Sequence, residues 1–254
     1  MRSKELQLFF TALMFFSRIP CPAWVEYNEE NLKRSAKYLP LVGVIIGSLV
    51  AIVYWLAHFI LPQSVAILLS MIASLLLTGA FHEDGFADAC DGFGGGNDRD
   101  SVLRIMQDPR IGSFGAIATV MLLLLKFETL THINTALLPA TLIAAHALSR
   151  FSAISFLYTH DYVRAEGTGK SSHFAQRMNR KDLSLAAVFG LIPLLAFDLV
   201  AALFIVGVIA IARWQMARYF TKRLGGYSGD CLGMAQQLSE VLIYLCILGT
   251  WMFV

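Results

Sequence analysis

Long apolar runs are the feature of this sequence that most limits what it can fold into. A membrane crossing takes about 17–25 mainly apolar residues in a helix. Six runs are candidates, and they lie at 39–61, 65–81, 114–130, 136–158, 185–214 and 238–254. The sequence therefore predicts an all-α fold, a polytopic membrane helix bundle of about six or seven transmembrane helices, with 1–254 as a single integral membrane domain.

Composition agrees with this class. Hydrophobic residues make up 57% of the chain and charged residues only 15%, whereas soluble domains carry about 25% charged residues. The net charge of +2 creates no strong field, so we expect membrane lipid and no nucleic acid as a partner. The four cysteines contain no Cys-x-x-Cys pair and are interpreted as reduced and structural. A homo-oligomer is left open.

The run 185–214 decides between six and seven crossings. Pro193 and Asp198 interrupt it, which favours two shorter helices that meet near 197–199 over one long broken helix. With two helices, nearly all Lys and Arg residues fall on one side, and only Lys126 lies near the outer face. Because positive charge is concentrated in cytoplasmic loops, the sequence predicts seven crossings and a cytoplasmic N-terminus.

The N-terminal apolar segment is predicted to be a helix that lies along the membrane surface. Its larger apolar residues share one helical face, and no small-residue cleavage pattern follows them. The residues of that face are Leu6, Phe9, Phe10, Leu13 and Phe16.

The long polar loops all lie on the predicted cytoplasmic side, near 82–113, 159–184 and 213–237. A protein with one elaborated face is expected to work at that face. A cation transporter would need polar groups along a path across the membrane. The candidates within or near the spans form no evident line; they are His58, His146, Asp198 and Glu240.

The acidic segment 82–96 carries the strongest chemical signal. Asp84, Asp88 and Asp91 are spaced i, i+4, i+7, which places their carboxylates on one helical face. Because like charges repel, this face favours a hard divalent cation, Mg²⁺ or alternatively Mn²⁺. These three aspartates are the predicted metal ligands. Glu83 projects about 100° away and is a weaker candidate.

Two further segments are predicted to join the site. Arg104 and Arg110 are interpreted as phosphate contacts or as positive-inside anchors, and Asp108 as a further metal ligand or an arginine partner. The glycines at 92 and 94–96 are expected to end the acidic helix and let a backbone approach a ligand.

The segment 224–233 is a glycine-rich loop before a helix, a natural site for an anion. Gly225, Gly226 and Gly229 are its predicted substrate contacts. Asp230 is interpreted as a site residue or an ordinary N-cap. Glu240, within the last span, must be paired or functional because an isolated charge there is costly. The segment 164–170 is a surface loop or a substrate contact.

Taken together, these motifs resemble the cobalamin synthase family, the adenosylcobinamide-GDP ribazoletransferases. The resemblance extends over 17–20, 39–43, 82–92, 104–112, 164–167 and 224–233, with Glu240. It implies an enzyme of the bacterial inner membrane, with its site facing the cytoplasm. Such an enzyme joins adenosylcobinamide-GDP to α-ribazole, or its 5′-phosphate, and releases GMP with Mg²⁺. It performs the last assembly step of adenosylcobalamin.

The resemblance also implies residue roles. The acidic motif, Asp108, Arg110 and Asp230 match the family pattern, and Arg18 in the matching segment 17–20 joins the substrate-binding candidates. The catalytic base is predicted to be Asp91 or Asp230. A CDP-alcohol phosphatidyltransferase is the nearest alternative, but Asp88 stands where that family's motif has arginine. A structural subunit is disfavoured by the concentrated carboxylates.

Overall fold

A computed structural model describes residues 4–26, 28–163 and 177–251. In these ranges the chain is helical and contains no strand, only an isolated bridge between Tyr162 and Tyr227. The segment 164–170 of the sequence analysis lies outside the described residues. The helices are α1 Lys4–Phe16, α2 Glu29–Ser35, α3 Leu39–His58, α4 Gln63–Thr78, α5 Phe81–Gly95, α6 Arg99–Met106, α7 Ser113–His132, α8 Leu138–Ile154, α9 Phe156–Thr159, α10 Arg180–Leu191, α11 Leu199–Leu224 and α12 Gly229–Trp251.

Five helical stretches are long and apolar enough to cross a membrane, and the bent pair α4–α5 raises the number to six. The stretches are Glu29–His58, Ser113–His132, Leu138–Thr159, Leu199–Leu224 and Gly229–Thr250. The predicted membrane helix bundle is confirmed at the lower of its two counts. The run 185–214 is divided as predicted, because α10 and a 3-10 turn at Ile192–Ala196 precede α11. However, α10 has only 12 residues, about 18 Å of helix, whereas a bilayer core is about 30 Å thick. Helix α10 alone is therefore too short for the seventh crossing that the charge distribution favoured.

A sharp bend separates α4 from α5, near the end of the predicted span 65–81. Gly79 and Ala80 both have left-handed backbone angles, with φ values of 66° and 55°. Gly79 ends α4, and the axis turns by 87° before α5 begins. The side chain of Arg18 lies against Gly79, so a Cβ there would meet its guanidinium. The acidic motif therefore occupies a helix of its own.

Helix α1 forms as predicted, but part of the face that was predicted to lie on the membrane surface packs against the protein. Leu8, Ala12, Leu13 and Phe16 are buried against the protein, whereas Leu6 is 41% exposed. A helix that packs on its own chain buries whichever stripe the neighbouring helices cover, and periodicity alone does not show that stripe.

The arrangement around α5 and α12 positions the candidate site. Helix α12 packs against α5, α7, α8 and α11, and α5 also packs against α6 and α7. The largest buried apolar cluster lies mainly between α3, α8 and α12. A second cluster, with Phe93, Met106 and Phe220 among its members, supports the C-terminal half of α5.

Candidate active site

Helices α5 and α12 cross at a point where neither carries a side chain. A Cβ on Gly233 would lie 3.0 Å from the Cα of Gly85 and 3.0 Å from the carbonyl oxygen of His82. A Cβ on Gly85 would lie 3.3 Å from the Cα of Asp230. The crossing therefore brings the acidic helix directly beside Asp230, which comes from the far end of the chain.

The two helices share a cavity of about 130 Å³ at this crossing. Its polar side is formed by His82, Asp84 and Asp230, together with Gly229 at the first residue of α12. Its apolar side includes Phe16, Leu39 and Leu157. The carboxylates were predicted from the sequence but the apolar wall was not, because Phe16 was assigned to a membrane-surface helix and Leu39 and Leu157 to membrane spans.

The carboxylates at the cavity, Asp84 and Asp230, and those farther along α5 repel each other. Asp88 is half-buried and lies within electrostatic reach of Asp84, Asp91 and Asp230. Within the described ranges, no Lys, Arg or His side chain forms an ion pair with Asp84, Asp88 or Asp230. A cation placed between these carboxylates would remove the repulsion.

The described part of the chain has no group of three or more His, Cys, Asp or Glu side chains arranged to hold a metal ion. Mg²⁺ is commonly held by one or two carboxylates and completes its octahedron with water and substrate phosphate. The donor set thus fits an ion shared between the protein and a phosphate. It does not form the three-carboxylate site that the spacing predicted.

Asp91 differs from the other two aspartates of its motif. All three lie on α5, as the spacing predicted, but Asp91 is buried and its oxygens turn toward the N-terminus of α7. They accept the backbone N–H groups of Gly112, at 2.7 Å, and Gly115, at 2.8 Å. The carboxylate also lies at the positive end of the α7 dipole. Asp91 therefore anchors α5 to α7 with both oxygens, which makes a structural role the better supported one.

Asp108 is held by Arg110, the second of the two roles considered for it. The guanidinium of Arg110 donates from Nε to Oδ1 at 2.9 Å and from an Nη atom to Oδ2 at 2.6 Å. These hydrogen bonds lower the pKa of Asp108 to about 2. Arg104 lies exposed on α6. Asp108 and Arg110 line a separate groove with Asp91, and they do not line the cavity at the helix crossing.

The glycine-rich loop before α12 serves the site mainly by its shape. Gly225 ends α11 with φ of 81°, and Gly226 lies against the backbone of Asp161. Ser228 caps α12, because its hydroxyl accepts the N–H of Cys231 at 3.2 Å. Asp230 is therefore not the N-cap, and its carboxylate is available to the cavity.

The glycines in the second half of α5 have a packing role. The helix continues through Gly92 and Gly94 and ends at Gly95, with Gly96 as its C-cap, so the predicted helix end is confirmed at the last two glycines. A Cβ on Gly92 would lie 2.6 Å from the side chain of Met106, and one on Gly94 would lie 2.6 Å from the ring of Phe114. They let α6 and α7 approach α5. Arg223 then donates to the carbonyl oxygen of Gly96 at 2.7 Å, which satisfies the helix end.

A buried polar network, which was not predicted from the sequence, lies next to the site. Lys126, assigned there to the outer face, is only 5% exposed and pairs with Glu240 at 2.8 Å. His146 Nδ1 lies 4.0 Å from Glu240, so two of the four residues judged to form no line do converge. Of the others, Asp198 caps α11 and His58 stacks on Tyr54.

These features define a polytopic α-helical membrane protein with a polar, carboxylate-lined site at a helix crossing. The family model described as cobalamin-5-phosphate synthase matches residues 8–248. The adenosylcobinamide-GDP ribazoletransferase of Ralstonia pickettii (strain 12J) is 52% identical over 250 residues, which cover 97% of this chain and 96% of that protein. The protein of the same name from Shewanella frigidimarina (strain NCIMB 400) is 45% identical over 249 residues, covering 97% and 95%.

The chain therefore belongs to the cobalamin-5-phosphate synthase family. This confirms the resemblance noted in the sequence and the prediction that the protein is an enzyme, a transferase. No solved structure matches the chain.

Proposed function

We propose that this protein joins adenosylcobinamide-GDP to α-ribazole, or to its 5′-phosphate, and releases GMP. The names of the relatives supply the substrates. The observation that carries the proposal is the crossing at Gly85 and Gly233, because it places Asp84 and Asp230 on one cavity. A phosphoryl transfer needs charge stabilisation and a proton acceptor close together, and opposed carboxylates at a helix crossing provide both.

In the proposed reaction, a ribose hydroxyl of α-ribazole attacks the phosphorus atom that carries the corrinoid side chain. A new P–O bond forms, and the bond from that phosphorus to the GMP oxygen breaks. Asp230 takes the hydroxyl proton, because it faces the cavity and is not used as a helix cap. Asp91 is the weaker of the two predicted bases, since both of its oxygens accept backbone N–H groups.

Asp84 and Asp88 are the proposed ligands of Mg²⁺, with Mn²⁺ as a substitute. When bound, the ion offsets the negative charge of the diphosphate and helps to orient the displacement. One turn of α5 separates the two carboxylates, and Asp84 is exposed at the cavity. Arg18 and Arg104 are proposed phosphate contacts, and both lie exposed.

We place this site on the cytoplasmic face of the bacterial inner membrane. The support is the predicted bias of Lys and Arg toward that side, together with the hydrogen bond from Arg213 on α11 to Ser155 at the end of α8, at 2.8 Å, which brings these two helix ends together. Strongly exposed apolar side chains, such as Leu199 and Val200 on α11, are proposed to contact lipid. Labelling of Ser113→Cys by a membrane-impermeant maleimide tests this orientation, because Ser113 is exposed near the site. Labelling in right-side-out vesicles would contradict it.

The reaction is tested by incubating purified protein in detergent with adenosylcobinamide-GDP, α-ribazole 5′-phosphate and Mg²⁺, and measuring GMP. We expect Asp84→Asn and Asp230→Asn each to lower GMP release by about a hundredfold or more, because each removes a charged group from the reacting centre. Glu128→Gln is the matched control, since Glu128 is an exposed carboxylate near the other end of α7.

Wild-type rates in both site variants would contradict the proposal. Release of CMP from CDP-diacylglycerol, without release of GMP, would favour the phosphatidyltransferase alternative.

A further inference from the structure

A buried chain of hydrogen bonds starts at Lys126 on α7. Its ammonium donates to Oε1 of Gln237 at 2.6 Å and to Oε1 of Glu240 at 2.8 Å. Lys126 is 5% exposed, Gln237 1% and Glu240 4%, so water does not screen these contacts. The chain joins α7 to α12 in the interior of the bundle.

The same series of hydrogen bonds continues to α5, the helix that carries the candidate metal ligands. The amide nitrogen of Gln237 donates to Oε1 of Glu83 at 2.8 Å. Glu83 is nine-tenths buried, and it directly precedes Asp84 on α5. Among the hydrogen bonds of the described residues, Gln237 is thus the one side chain that contacts both Lys126 and Glu83.

Helix α5 is therefore fixed at two places. Glu83 is tied to α12 and α7 at one end of the acidic motif, and Asp91 is tied to the N-terminus of α7 at the other. The two residues are about 12 Å apart along a helix. Asp84 and Asp88 lie between these two anchors, and the crossing at Gly85 faces Asp230.

We propose that Lys126 and Gln237 are positioning residues, which hold Asp84 and Asp88 at a set distance from Asp230. This inference rests on the proposed function, because it assigns those aspartates to the reaction. Neither positioning residue lies on the cavity at the crossing, so both act through Glu83 and α5. A remote anchor can change the rate strongly, because small displacements of catalytic groups are costly.

Apolar side chains in place of Lys126 and Gln237 would also hold the helices together, but they would not fix the orientation of α5 as hydrogen bonds do. Removing one member of a buried ion pair leaves the other charge uncompensated, whereas removing both is often tolerated. The test therefore uses the double variant Lys126→Met with Glu240→Gln. Gln237→Glu is the second variant; it keeps an acceptor for Lys126 and replaces the N–H donated to Glu83 with a repelling carboxylate.

Each variant is purified in detergent and assayed in two ways. The first assay measures kcat for GMP release and KM for adenosylcobinamide-GDP, and the second measures binding of Mn²⁺ alone by electron paramagnetic resonance. We expect kcat to fall about tenfold to hundredfold and Mn²⁺ to bind more weakly, as for residues that orient metal ligands. KM for adenosylcobinamide-GDP and the thermal unfolding midpoint of the double variant should change little.

The control is Ser152→Ala with Ser239→Ala, which breaks another buried contact of α12, at 2.9 Å, with no link to α5. The control should keep the wild-type kcat and Mn²⁺ binding. Wild-type kcat and Mn²⁺ affinity in both test variants would overturn the positioning role. If wild-type protein released no GMP, the proposed reaction would fail, and Mn²⁺ binding would still decide whether Lys126 and Gln237 position the carboxylates.

Discussion

The crossing of α5 and α12 leads to a prediction whose size follows from the structure. In Gly233→Ala, the added methyl group would lie 3.0 Å from Gly85 Cα, while ordinary contacts of a Cβ begin near 3.4 Å. The atom in the way is backbone, not the tip of a flexible side chain, so the helices must separate. The expected displacement is about 0.4 Å at the crossing.

This displacement has an energy and a rate consequence. Overpacking of this kind costs about 1–3 kcal/mol, and the better helix propensity of alanine offsets up to about 1 kcal/mol of it. A misplacement of about 1 Å can lower a rate by about a hundredfold, so a shift of this size should lower it by roughly tenfold. Gly85→Ala should have a smaller effect, because its nearest contact is longer, at 3.3 Å.

The assay is GMP release by purified variants, together with their thermal unfolding midpoints in detergent. Gly207→Ala on α11 is the matched control, since a Cβ there has no neighbour within 4 Å. We expect the control to match wild type in rate and to be as stable or slightly more stable. If Gly233→Ala kept the wild-type rate, or if Gly85→Ala lost more activity than Gly233→Ala, the reasoning from the crossing distance would be refuted.

Three other substitutions separate structural roles from site roles. Asp91→Asn should lower the free energy of unfolding by about 1.5–3 kcal/mol, because it weakens two hydrogen bonds to a buried carboxylate. Thermal unfolding measures this change, and an unchanged midpoint would argue against Asp91 as an anchor. Asp108→Asn should leave the unfolding midpoint at pH 7 unchanged, because its pair with Arg110 is exposed. Arg110 lowers the pKa of Asp108 to about 2, so any stabilisation by the pair should be present above about pH 4 and lost as the pH falls toward 2. Slower GMP release by Asp108→Asn would instead support the predicted metal-ligand role of Asp108. Ser228→Ala should cost about 0.5–2 kcal/mol through the lost cap of α12, and an unchanged melting curve would show that the cap does not contribute.

Periodicity and apolar length predicted much of this architecture. The spacing of Asp84, Asp88 and Asp91 correctly placed them on one helix, and Pro193 and Asp198 correctly marked the division of 185–214. These signals are local, because each depends on residues within a few turns. The bend before α5 could be predicted only in part. Glycine commonly ends helices, as Gly79 does, but nothing in the sequence indicates that Ala80 has a left-handed backbone conformation.

Partners that are distant in sequence were not predictable. Whether Asp91 faces a ligand or another helix depends on where α7 begins in space, 21 residues away for Gly112. Similarly, a count of charges assigned Lys126 to the outer face, because a count cannot detect a partner 114 residues later. The predicted placement of 224–233 on the same side as the acidic motif, together with the family resemblance, pointed to Asp230, but spacing could not join it to that motif.

The ion pair of Lys126 and Glu240 has a consequence for how the protein is made. A lysine near the centre of a membrane helix costs about 2.5–3.5 kcal/mol during insertion. Helix α7 leaves the ribosome long before α12, so Lys126 has no ion-pair partner until Glu240 is inserted. Until then, water or lipid headgroups must solvate the ammonium group. The final helix therefore stabilises α7 in the membrane as well as itself, and truncation before Glu240 should leave α7 poorly inserted, although α7 is complete.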